Sequence, residues 1–86
     1  MQTNSLILYT GPNCSLCKKA EELLYAAGIG ASQLEKIDVT TSLELKKNYG
    51  LKIPVVRRAD LDQELFWPFD QDGLSDYLQL KPDQEA

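Results

Sequence analysis

Apolar and polar positions change rhythm several times along the chain, and each change marks an element. Ser5 to Thr10 (SLILYT) is a short apolar run, the mark of a buried strand. Gly11-Pro12-Asn13 breaks it. From Cys14 onward Leu16, Ala20, Leu23, Leu24 and Ala27 fall at helical spacing, with Lys18, Lys19, Glu21 and Glu22 on the opposite face. Gly28 ends this helix. Leu34 to Val39 (LEKIDV) alternates and predicts a second strand. Thr41 with Glu44 makes a capping box for a helix running to about Tyr49, and Gly50 suits a left-handed C-terminal position.

Val55 to Arg58 predicts a third strand, and Ala59 to Gln63 a polar turn. Glu64 to Trp67 reads as a short edge strand stopped by Pro68. Asp70 or Asp72 caps a last helix carrying Leu74, Tyr77, Leu78 and Leu80. The expected order is β-α-β-α-β-β-α. The first crossover makes its two strands parallel, and the late pair closes as a hairpin.

The length of 86 residues fits one domain, expected to span 1–86 with an ordered core of about 5–80 between polar ends. The net charge of −4, with basic residues only in scattered pairs, argues against nucleic acid as a partner. No apolar run reaches the ~18 residues of a membrane span, and Met1 to Leu8 lacks the pattern of a signal peptide. With only two cysteines, the chain is expected to be a cytoplasmic monomer that engages no membrane.

Those cysteines carry the sharpest chemical signal. Cys14-Ser15-Leu16-Cys17 sits where a strand hands over to a helix. Unpaired N–H groups and the helix dipole at a first turn stabilise a thiolate, the reactive form of cysteine. A second sulfur three residues on returns to the same patch of helix surface, so Cys14 can attack and Cys17 resolve. Lys18 adds positive charge one turn after Cys14. Competing readings are weaker: a zinc site lacks ligands, with no His and no third Cys. Two unrelated buried cysteines would not need this strand–turn–helix setting. A disulfide closing so small a loop stabilises little by itself. The second signal is Ile53-Pro54 before a strand. A proline there avoids a lost ladder bond, and a cis bond would turn the Ile53 backbone towards an extended substrate.

Tyr9-Thr10-Gly11-Pro12-Asn13-Cys14-Ser15-Leu16-Cys17-Lys18-Lys19-Ala20 resembles the active-site opening of glutaredoxins. Ile53-Pro54-Val55-Val56 resembles their cis-proline segment. Trp67-Pro68-Phe69-Asp70, then Gly73-Leu74 and Tyr77-Leu78, resembles a group of small bacterial glutaredoxin-like proteins. The resemblance runs from Ser5 to Leu80. It implies an α/β, thioredoxin/glutaredoxin-like fold: a four-stranded mixed sheet with helices on both faces. It also implies a thiol–disulfide oxidoreductase, with Cys14 as nucleophile, Cys17 as resolving thiol, and Ile53 and Pro54 flanking the substrate disulfide. Lys18, Trp67 and Asp70 complete the expected substrate-binding set.

Three departures separate this chain from glutaredoxins. Gly11 stands where they carry a Lys or Arg, Ser15-Leu16 replaces their Pro-Tyr, and Trp67-Pro68-Phe69 replaces the Gly-Gly before their last helix. Those features help hold glutathione. The expected substrate is therefore a disulfide-bearing protein or small thiol, served by an unidentified reductase, with glutathione disfavoured and no cofactor required. The alternative is a thioredoxin-fold binding module, or a dimer holding an iron–sulfur cluster through Cys14 and exogenous thiols. Packing under the last helix is the structural role open to Trp67 and Phe69, and helix capping that of Asp70 and Asp72.

Overall fold

The apolar run near the start of the chain forms the strand β1 (Leu6–Thr10), and the helix α1 (Ser15–Ala26) follows it. Then come β2 (Leu34–Asp38), α2 (Leu43–Tyr49), β3 (Val55–Arg58), β4 (Glu64–Phe66) and α3 (Gln71–Gln79). The computed structural model describes residues 6–59, 61 and 63–80. Ser5, both polar ends, Asp60 and Asp62 lie outside the described residues.

The four strands form one sheet in the order β2-β1-β3-β4. β1 and β2 run parallel, with Leu6 opposite Leu34, while β1–β3 and β3–β4 are antiparallel. This is the mixed sheet the sequence predicts, with the late pair as its hairpin. β1 is central and covered on both sides, which is why it lacks polar alternation. Leu6 and Leu8 point to one face, where Ala20 and Leu24 of α1 meet Val56 of β3 and Leu74 and Tyr77 of α3. Ile7 and Tyr9 point to the other, against Val39, Val55, and Leu45 and Tyr49 of α2.

Local chemistry sets several boundaries differently from the sequence reading. The capping box predicted from Thr41 does not start α2. Asp38 first caps a single 3-10 turn, Val39–Thr41, and the Thr41 hydroxyl donates to the Asp38 carbonyl. The N-cap passes to Ser42, whose Oγ accepts from the Leu45 N–H at 3.3 Å. Gly50 is right-handed (φ −54°, ψ −33°), not left-handed as expected. Its N–H donates to the Lys46 carbonyl at 2.8 Å, and a Cβ at Gly50 would lie 2.4 Å from that oxygen. Close approach, not a positive φ, is what glycine supplies there. α3 starts from Asp70, whose Oδ1 accepts from the Gly73 N–H at 2.8 Å, while Asp72 sits in the first turn. β4 ends at Phe66, one residue short of Trp67, where a cis Trp67–Pro68 bond turns the chain.

Candidate active site

β1 ends at Thr10, and three residues later the chain reverses into α1. Asn13 makes the reversal in the left-handed region (φ 57°), which asparagine tolerates better than most residues. Cys14 is the N-cap of α1, in extended backbone. Its Sγ takes the role usually played by a Ser or Asp oxygen, accepting the Cys17 N–H at 3.1 Å. Cys14 and Cys17 are joined in a disulfide, their Cα atoms 5.2 Å apart. The two sulfurs differ in access: Cys14 is half-buried, whereas Cys17 is only 3% exposed, on the inward side of the helix.

An open hollow of ≈540 Å³ surrounds the pair, lined by Gly11, Asn13, Ser15, Lys18 and Glu21 among others. Lys18 therefore lies beside the cysteines. Glu21 brings a negative charge into the same hollow, but that carboxylate is already engaged. Lys36 donates to it at 2.8 Å and the Tyr25 hydroxyl at 2.8 Å. These hydrogen bonds, led by that from Lys36, hold the Glu21 carboxyl below its usual range.

The second predicted segment arrives from the other side. The Ile53–Pro54 bond is cis, and Pro54 is fully buried ahead of β3. Ile53 packs against the turn before Cys14: a Cβ on Gly11 would lie 2.8 Å from Ile53 Cδ1. The Ile53 N–H is committed to the Tyr49 carbonyl at 3.1 Å, and the Lys52 N–H donates to the same oxygen at 2.8 Å. The cis-proline loop is thus anchored through Tyr49. That residue stacks on Tyr9 at the end of β1 (4.3 Å between ring centroids) and donates its hydroxyl to Glu64 of β4. The Glu64 carboxylate also meets Arg57 at 3.3 Å.

Beside the disulfide runs a groove of ≈500 Å³ lined by Leu16, Leu51, Lys52, Ile53, Phe66 and Trp67. Trp67 contacts Phe69 edge-on at 4.9 Å and packs against the core under α3, so it serves both core and groove. Asp70 is elsewhere: its carboxylate caps α3, and it lines none of the hollows near the cysteines. Sequence reasoning singled out neither Leu51 nor Phe66. The available signal was an apolar side chain between the end of a helix and a proline loop, and another on a strand too short to cover it.

A family model described as Glutaredoxin-like domain (DUF836) matches residues 5–79. The chain belongs to this family. Among solved structures, this glutaredoxin-like domain is similar to the X-ray structure of the X. campestris protein XcR50. They share 36% identity over 91% of this chain and 100% of that one, with a TM-score of 0.81. The solution structure of XcR50 gives 36% identity, 91% and 96% coverage and a TM-score of 0.79. Ne2328 from Nitrosomonas europaea shares the fold at 23% identity, with a TM-score of 0.67 over 90% of this chain and 93% of that one. No curated protein matches. The match, together with the Cys14–Cys17 CxxC pair, supports a thiol-redox fold.

Proposed function

We propose that this glutaredoxin-like domain is a thiol–disulfide oxidoreductase that reduces protein or mixed disulfides through Cys14 and Cys17. The observation that carries the reading is the pairing of unequal cysteines at a helix start. Cys14 is the more accessible, with the Cys17 N–H aimed at its sulfur, and Cys17 is buried directly behind it. In the reduced protein that N–H and the helix N-terminus favour the Cys14 thiolate. The thiolate attacks one sulfur of the client disulfide, and the other leaves as a thiolate that takes up a proton. Cys17 then gives up its proton and attacks Cys14 Sγ. This releases the second client thiol and leaves the Cys14–Cys17 disulfide. Two electrons and two protons pass to the client, and an external thiol reductant returns them to the protein.

The site's shape favours protein clients over glutathione. Ile53 fills the space beside Gly11 where a long cationic side chain would start, and Trp67-Pro68-Phe69 puts two aromatic rings where glycines would leave the backbone open. Pro68 also removes an N–H donor. The test is capture from a cell lysate. Cys17→Ser should hold clients as mixed disulfides released by reductant, and Cys14→Ser should hold none. Equal yields from the two variants would refute the two-step scheme.

A further inference from the structure

We propose that the surface beside the disulfide docks an extended protein segment with a bulky apolar side chain next to its disulfide cysteine and a carboxylate flanking it. The inference rests on the oxidoreductase reading and names the class of client. Leu51 is fully exposed at 102%, and Leu16 and Phe66 are 42% and 43% exposed. All three line the groove that Ile53 and Trp67 also line, next to the cysteine pair. Leu51 and Ile53 also line a second hollow of ≈400 Å³ on the far side of the loop, with Gly11, Pro12 and Val39. The apolar surface therefore continues past the turn that carries Cys14. Clustered apolar side chains at the mouth of a reactive site mark an interaction surface, where scattered ones would mean little.

Charge selects the occupant. The chain carries −4 overall, yet the described residues lining the three hollows include Lys18, Lys46 and Lys52 against one carboxylate, Glu21. Glu21 is occupied by Lys36 and Tyr25. Lys52 Nζ lies 5.7 Å from the centre of the Phe66 ring, which places a cation on the apolar wall itself. A client carboxylate meets an excess of positive charge here, and a client lysine meets repulsion. Glutathione supplies carboxylates but no apolar side chain to fill the groove, so both halves of the recognition call for a peptide.

The experiment uses the reduced full chain and four octapeptides, each carrying one cysteine in a mixed disulfide with neutral 2-mercaptoethanol. Leu or Ser stands next to the cysteine, and Asp or Lys flanks it. Glutathione disulfide and bis(2-hydroxyethyl) disulfide are run beside them, and single-turnover thiol release is followed. The Leu peptides should outrun the Ser peptides about tenfold, the scale of filling an apolar pocket. Asp should outrun Lys about threefold to fivefold in dilute buffer, the scale of exposed ion pairs. The charge preference should fade towards unity in ~0.5 M salt, where the apolar preference persists. Lys52→Glu should bring the Asp/Lys ratio down to about unity, and Leu51→Ser should collapse the Leu/Ser ratio. Both sites are exposed, and each ratio is internal to its variant.

Rates within twofold across the peptides, or glutathione disulfide reduced as fast as the best of them, would overturn the docking surface and leave the thiol chemistry standing. No reduction of any substrate, the neutral disulfide included, would remove the oxidoreductase reading and the docking with it. Sedimentation is the second measurement. A dimer that Leu51→Ser dissolves would assign the patch to a second copy of the chain and overturn the proposal.

Discussion

Replacing Tyr49 with phenylalanine removes one hydroxyl and keeps the ring that stacks on Tyr9. That hydroxyl donates to the Glu64 carboxylate, and the resulting negative environment, together with burial, pushes Tyr49 up from 10.0 to about 12. An unfolded tyrosine loses its proton near its ordinary value. Between pH 10 and about 12 the folded chain thus holds a proton that the unfolded chain has released, and stability must fall as pH rises through this window. Two pH units correspond to about 2.7 kcal/mol at most. Solvent contact reduces this, and a hydrogen bond to a charged group is worth about 1.5–3 kcal/mol. We therefore expect the wild type to exceed Tyr49→Phe in stability by about 1–2 kcal/mol at pH 8, with the two converging near pH 12. Urea unfolding followed by far-ultraviolet circular dichroism at intervals from pH 8 to 12 measures this. The oxidised protein is used, so that the cysteines do not titrate. Tyr25 and the Lys36–Glu21 pair lie apart from this site, contribute equally to both proteins and drop out of the difference. Parallel stability curves across the whole range would refute the argument.

Three further outcomes follow from the same geometry. In the reduced protein Cys14 should be alkylated faster than Cys17 at neutral pH, because the Cys17 N–H meets the Cys14 sulfur and Cys17 is buried; mass mapping that finds Cys17 labelled first would reverse their roles. Asp70→Ala should destabilise the domain by about 0.5–2 kcal/mol, read as a lower urea midpoint, while client reduction stays close to wild type, since this carboxylate caps α3 away from the cysteines. Tyr77→Phe should cost about 1–2 kcal/mol, because its hydroxyl accepts the Arg58 N–H at 3.0 Å and donates to the Gln63 carbonyl at 2.6 Å; an unchanged midpoint would dismiss that bridge.

The order of elements was legible because each buried face leaves a period in the sequence. Leu6 to Thr10 reads as a buried strand because it lies inside the sheet, and Ala20 and Leu24 read as the buried face of one helix. The Cys14–Cys17 spacing and Ile53-Pro54 were equally visible, since each is a contiguous motif whose chemistry is local. Helix starts were less so: Thr41, Ser42 and Asp38 all carry capping oxygens, and only the path of the chain decides that Asp38 takes the 3-10 turn and Ser42 the helix. Likewise Gly50 signals a helix end, while the nearness of the Lys46 carbonyl that makes it glycine is a matter of three dimensions.

The sequence alone thus determined the strand–helix order, the cysteine pair and its helix-start setting, because these depend on neighbours within a turn or two. Tertiary structure decided everything that needs segments far apart in the chain to meet. It set Ile53 over Gly11, and it tied the cis-proline loop through Tyr49 to β1 and β4. It gathered Leu16, Leu51 and Phe66 into one groove, and it sent Asp70 to a helix cap instead of the site. Side-chain periodicity records which face of an element is buried, but not which partner covers it. A loop side chain such as Leu51 has no period at all, so its exposure beside the disulfide emerges only when the sheet brings both loops to the same edge.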